Sequence, residues 1–224
     1  PDTTYTSESR NQEFQKQLSH TMNFTLDYQI SEKTELEIKS NLTVREEEIQ
    51  EDNETNFFSA NRDSTNATNV SNESTASGLE TNVDARLKHD FEKRNRELEV
   101  QYQLGYTETD RENFMQSNIL FYELPIPDST FDQKRDIVNN TTGHRGLIEY
   151  TEPLSRKLKI NVQYKIDYFH GEQSTLTYDR TGGVYDSLAS IYSNDFSNTR
   201  LEQRAGASLV YTDRRHTLNM ASRF

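Results

Sequence analysis

The sequence predicts an all-β protein built of antiparallel up-and-down strands of transmembrane β-barrel type, about eight of them, forming part of a larger barrel. Three observations predict it. Apolar and polar residues alternate with a period of two over runs of roughly ten residues, the period of a strand and not of a helix. Short turns alternate with long polar stretches, and each short turn follows an apolar-row aromatic and precedes an apolar-row leucine: Tyr28 and Leu36, Phe91 and Leu98, Tyr150 and Leu158, Tyr211 and Leu218. Those aromatics recur at steps of 63, 59 and 61 residues, so the repeated unit is one hairpin plus one long connection.

The first hairpin is expected at about 17–46. Leu18, His20, Met22, Phe24, Leu26, Tyr28 and Ile30 form one row, a polar turn spans Ser31–Thr34, and Leu36, Ile38, Ser40, Leu42 and Val44 continue it. The tract 47–78, rich in Asn, Ser, Thr, Asp and Glu, has no sustained period and reads as a long hydrated loop. The second hairpin, at about 79–108, places Leu79, Val83, Ala85, Leu87, His89 and Phe91 against Leu98, Val100, Tyr102, Leu104 and Tyr106. A second long loop is expected at about 109–140, with Pro125 and Pro127, and a third hairpin at about 142–170. In that hairpin Leu158, Ile160, Val162, Tyr164, Ile166 and Tyr168 alternate without a break after the turn Glu152-Pro153-Leu154-Ser155, where proline supplies a fixed φ and lacks a ladder N–H. The last loop is expected at about 171–199. The last hairpin, about 200–224, runs through Leu201, Ala205, Ala207, Leu209 and Tyr211, then Leu218, Met220, Ser222 and Phe224.

Strand length argues for a bilayer. A globular strand averages about 5–6 residues, whereas a tilted membrane-crossing strand needs about 9–11. A mean hydropathy of -0.99 fits this reading, because a barrel shows lipid only every second residue and lines its interior with polar groups. A soluble β-sandwich, its apolar faces packed on a second sheet, is the competing reading, and strands this long with matched aromatics disfavour it. The net charge of -12 leaves no basic stripe for nucleic acid. Cysteine is absent, and five scattered histidines (His20, His89, His144, His170 and His216) give no metal-ligand spacing. No cofactor or metal is expected. No catalytic constellation stands out, since no carboxylate has the apolar setting that raises a pKa and no nucleophile elbow is present, so the chain is not expected to be an enzyme. The first residues, PDTTYTSESRNQ, carry no basic or apolar leader segment, and a fragment of an exported protein is expected.

Three local motifs resemble the barrel domain of TonB-dependent receptors of Bacteroidota: the turn Tyr150-Thr151-Glu152-Pro153-Leu154-Ser155, the lead-in Tyr192-Ser193-Asn194-Asp195-Phe196-Ser197-Asn198-Thr199, and the strand start Arg204-Ala205-Gly206. The resemblance implies a barrel of about 22 strands around a plug, in the outer membrane of a Gram-negative cell. It also implies import of a small nutrient and a TonB-type energy-coupling partner acting through a plug that this chain lacks. On that reading Tyr28, Phe91, Tyr150 and Tyr211 form a lipid-facing girdle at one interface. The loop aromatics Phe57, Phe58, Phe121, Tyr122, Tyr185 and Tyr192 are the candidates for contact with a sugar or peptide ligand by stacking, with packing of loop on loop the equal alternative. Inner-row charges such as Glu35, Glu37, Lys39, Arg86, Lys88, Glu97, Glu99, Lys159 and Lys165 are expected to form a hydrated wall of compensating charge. The Asn-x-Ser/Thr triplets at Asn66, Asn69, Asn72 and Asn140 are chance matches in so polar a chain. Two alternatives stay open: a complete eight-stranded barrel with a structural or adhesive role, and a secreted all-β binding module.

Overall fold

The computed structural model describes residues 6–122 and 126–223. The strands, in order, are β1 (Thr6–Ser31), β2 (Thr34–Phe58), β3 (Ser64–Asp90), β4 (Glu97–Phe121), β5 (Ser129–Pro153), β6 (Leu158–Thr181), β7 (Val184–Leu188), β8 (Asn194–Thr212) and β9 (Thr217–Arg223). All lie in one antiparallel sheet in sequential order, with the short β7 pairing only the end of β6. β1 and β9 are its two edges and do not pair with each other, so among the described residues the sheet is open. The expected positions of Phe224 and Pro125 fall outside the described residues.

Four tight connections sit at one end, between β1 and β2, β3 and β4, β5 and β6, and β8 and β9. The β3–β4 turn closes with Phe91 N–H donating to the Arg96 carbonyl and holds Asn95 at a φ of 63°, a left-handed position that asparagine tolerates. At the other end the chain reverses through Gly182-Gly183, at φ 60° and 94°, where side chains are disfavoured.

The expected long loops are corrected by this arrangement. The tract 47–78 is strand except at 59–63, with β2 and β3 in register from Thr34↔His89 to Phe57↔Asn66. The tract 109–140 is likewise β4 and β5, paired down to Ile119↔Ser129. Most of 171–199 belongs to β6, β7 and β8. β1 begins at Thr6, well before the first alternating residue, Leu18. The reason is physical: a ladder needs only backbone partners, and where both faces meet water no apolar row marks the strand. Polar cross-strand pairs join these extensions instead: Ser9 Oγ lies 3.0 Å from Thr55 Oγ1 and Gln15 Nε2 donates to Glu47 Oε1 at 2.8 Å.

The turns step across the sheet. Along the cross-strand row Thr34, His89, Leu98, Tyr150, Val162, Ala207, the first turn adjoins Thr34, while on β8 the turn follows Thr212, five residues beyond Ala207. One residue of about 3.3 Å per strand step of about 4.8 Å corresponds to a tilt of about 35° between the strands and the normal to the line of turns.

Candidate functional site

Register places every apolar row on one face. Tyr28, Leu36, Leu87, Val100, Ile148, Tyr164 and Ala205 are successive cross-strand partners, as are Phe24, Ser40, Val83, Leu104, His144, Tyr168 and Leu201. The rows join into a belt that crosses all seven long strands on the turn side of the sheet and continues onto the short β9 through Leu218 and Met220. No second layer covers it among the described residues: Phe24 is 55% exposed, Ile148 46%, Val162 45% and Leu201 56%. Monomeric soluble proteins rarely expose a contiguous apolar area of this extent. The belt ends sharply. Two to eight residues further along, the same face carries the row Lys16, Glu48, Thr75, Glu112, Asp136.

Tyr28, Phe91, Tyr150 and Tyr211 all lie near the tight turns, at the turn-side margin of the belt. Phe91 and Tyr150 meet edge to face with centroids 6.3 Å apart, and His89 stands edge-on to Phe91 at 4.5 Å. Tyr28 lies opposite Leu36, and Tyr211 lies between Leu158 and Leu218, so these two sit at the margin without touching the Phe91 cluster by register. The opposite margin has an aromatic row that periodicity alone does not single out. Tyr102, His144 and Tyr168 adjoin at 6.1 and 5.9 Å, the Tyr102 hydroxyl is 2.7 Å from His144 Nδ1, and Gly146, the cross-strand partner of Tyr102, is packed by Ile166 from the other side. Its sequence signal was the i, i+4 tyrosine pairs Tyr102/Tyr106 and Tyr164/Tyr168.

Just past Tyr150 on the turn side, outside the belt, Glu152 collects three donors. Arg96 contributes Nε at 2.7 Å and Nη2 at 2.9 Å, Lys93 Nζ stands at 2.5 Å, and the Tyr150 hydroxyl donates at 2.6 Å. Arg96 foremost, then Lys93 and Tyr150, hold the Glu152 carboxyl down to about 2 from its ordinary 4.5. A carboxyl depressed on folding stabilises fully above its unfolded value and loses that contribution as pH falls through the folded one. The stability difference between parent and Glu152→Gln is therefore expected to be constant above pH 5 and to shrink between pH 4.5 and 2, as read from urea midpoints at each pH.

The reverse face is polar and charged, with neighbours of opposite sign. Arg86 clasps Glu99 through Nε at 2.9 Å and Nη2 at 2.8 Å, Gln101 adds a further bond to Glu99, and Lys88 pairs with Glu97 at 3.1 Å. Asp167 receives Arg145 at 2.6 Å and Lys165 at 2.8 Å, and Lys39 pairs with Glu37. Glu35 and Lys88 are cross-strand partners, while Lys159 lies opposite Pro153 and Val210. The expected compensating wall is present in these contacts.

The six ligand-contact candidates do not converge. Phe57 and Phe121 flank Asn66 in one row on the polar face, whereas Phe58, at the neighbouring position of the same strand, points to the other face. Tyr122 follows the end of β4 and is exposed. Tyr185 stands on the belt's side, edge-on to Phe114 at 5.3 Å, its hydroxyl donating to Asp132 at 2.7 Å while Arg180 holds the other Asp132 oxygen at 3.0 Å. Asp132 pushes the Tyr185 hydroxyl pKa up. Tyr192 lies on the polar side, edge-on to Phe131 at 6.0 Å.

Tyr192 belongs to a feature the sequence reading missed. Between the pairs Tyr178↔Leu188 and Thr175↔Asn194, β6 spends two residues and the returning chain five, Ala189 to Ser193, three of them in a turn of 3-10 helix. Thr177 anchors this bulge. Its N–H donates to Ser193 Oγ at 2.9 Å, its hydroxyl to the Tyr192 carbonyl at 3.0 Å, and its carbonyl accepts from Ala189 N–H at 2.8 Å. The bulge folds over the polar face and fully buries Thr177 and Gln133.

No family model and no curated protein matches the chain. Among solved structures it is similar to the ferric-catecholate import receptor Fiu from E. coli K12. For the open form the TM-score is 0.28 and the identity 8%, with 99% of this chain and 54% of that chain covered. For the closed form they are 0.26 and 9%, with 98% and 50% covered. It is also similar, at a TM-score of 0.13 and 7% identity, to the translocator domain of the autotransporter NalP from Neisseria meningitidis, over 96% of this chain and 86% of that chain. The chain spans about half the length of the Fiu structures.

Proposed function

We propose that the chain is part of the wall of an outer-membrane receptor of the TonB-dependent kind, as in Bacteroidota, importing a small nutrient. The observation that carries the membrane part is the uncovered belt: apolar side chains at alternate positions on seven long strands and the short β9, aromatics at both margins, and a charged row beyond. Acyl chains are the solvent that fits such a surface, and a strand crossing them must satisfy all its backbone groups on neighbouring strands, as an up-and-down sheet does. In this reading the wall is passive and not catalytic. It holds the sheet in lipid while the strands beyond the belt stand in water and meet the ligand, and a plug and its energy-coupling partner gate passage. The motifs at Tyr150–Ser155, Tyr192–Thr199 and Arg204–Gly206 favour this receptor class among barrels. A complete eight-stranded barrel would require β1 to pair with β9, which the described residues do not do.

The test is where the protein partitions. Expressed at native level, it is expected in the outer-membrane fraction, to resist a carbonate wash, and to migrate on unheated gels apart from its boiled form. Recovery in the soluble periplasm or medium without detergent would sink the reading. Growth on single nutrient sources by a strain lacking the gene, with and without an intact TonB-type partner, tests the import step.

A further inference from the structure

The bulge from Ala189 to Ser193 places the most exposed apolar side chain of the described residues on the polar side of the sheet. Ile191 is 85% exposed and Tyr192 51%, while the backbone beneath them is tied to Thr177 at three points. A held turn that offers greasy groups to water gains nothing for its own stability from that exposure. Beside it, Arg135 is the direct cross-strand partner of Thr177. Among the described residues Arg135 has no ion-pair partner, and its Nε is buried without a hydrogen bond. The nearest carboxylate along the strands, Asp179, is taken by the amide nitrogen of Gln133 at 2.7 Å, and the other Gln133 atom, Oε1, is buried and unpartnered. A guanidinium left without an anionic partner in this way carries a desolvation cost that a bound anion would relieve.

We propose that this bulge and Arg135 form a ligand-contact site on the polar face that takes an organic anion bearing an aromatic or apolar group. The guanidinium receives the carboxylate or similar anion in a charge-assisted pair, and Tyr192, with Phe131 behind it and Ile191 beside it, covers the ring. The inference rests on the reading that this face lines the inside of a barrel. Of the loop aromatics singled out from sequence it selects Tyr192 and leaves Tyr185, on the lipid-side face, out of ligand contact.

The experiment titrates the full-length protein in detergent micelles with 5-fluorosalicylate and its neutral analogue 5-fluorosalicylamide, observed by fluorine NMR. The acid is expected to bind at least tenfold more tightly than the amide. Arg135→Gln is expected to abolish that preference and Arg135→Lys to restore it, which separates a lost charge from a lost fold. Tyr192→Ala is expected to weaken both probes together, and Arg145→Gln, which removes an arginine already held by Asp167, to leave the preference intact. Equal binding of acid and amide by the parent, an unchanged preference in Arg135→Gln, or no restoration by lysine overturns the proposal. Carbonate washing of the same membranes separates the two levels: a protein washed off overturns the barrel reading and this site with it, whereas a retained protein without anion preference overturns the site alone.

Discussion

Replacing Val162 by lysine is expected to cost about 2–4 kcal/mol of folding stability in a bilayer, the price of a cation near the midplane of a barrel's lipid face. The same substitution at the adjacent Gln163, half-buried on the polar face, is expected to cost much less, about 0.5 kcal/mol. Val162 lies midway along the belt on β6 between Tyr150 and Ala207, and nothing in the described sheet covers it. Gln163 lies one residue on, across from Glu149, on the face where charges already pair. Urea titrations of the protein refolded into lipid vesicles, followed by far-ultraviolet circular dichroism and by gel mobility without heating, give the two values. A belt that met another protein layer would also reject lysine, but it would do so equally in vesicles of thin and thick lipids. A lipid-facing Val162 predicts a cost that falls as the bilayer thins and the lysine reaches the interface. Equal costs at positions 162 and 163 would remove the two-faced character from which the function was argued.

The belt was legible in the sequence because one solvent of each kind acts on alternate residues. Leu158, Ile160, Val162, Tyr164, Ile166 and Tyr168 had to fall together on any strand, and the matched Tyr28, Phe91, Tyr150 and Tyr211 fixed which ends were the tight ones. Pairing between strands followed from turn length, so the order of the sheet was legible too. Three things were not. The aromatic row of Tyr102, His144 and Tyr168 depends on which strand neighbours which at what register, and Gly146 across from Tyr102 has no periodic signature. The bulge over Gln133 and Thr177 sets five residues against two in a ladder, and a string of Ala, Ser, Ile, Tyr and Ser reads equally well as a plain strand or a loop. The convergence of Arg96 and Lys93 on Glu152 joins residues more than fifty positions apart, which only the β4–β5 pairing brings together.

The largest disagreement between pattern and fold, the polar stretches that continue as strand, carries a sharp expectation of its own. Ser74→Pro is expected to destabilise the upper sheet by about 3 kcal/mol or more, because Ser74 sits in the interior of β3 with Ile49 on one side and Asn113 on the other. Proline there removes a ladder N–H and its ring meets a neighbouring strand, with no edge or bulge to absorb it. A hydrated loop, as the composition of 47–78 suggests, would accept the same proline at almost no cost. Amide hydrogen exchange reads the difference directly: protection at residues 66–78 and at their partners 109–119 is expected in the parent and is expected to collapse locally in Ser74→Pro, while the belt residues 79–87 keep theirs. Two strands that run some thirteen residues past the belt at a tilt of about 35° rise about 35 Å beyond it, so the polar stretches form a standing wall and not a set of separate loops. That geometry is why the bulge at Ala189–Ser193 matters. Along ladders that are paired on both sides only alternate side chains reach the polar face, whereas at the interruption between β6 and β8 five residues of backbone are folded over it.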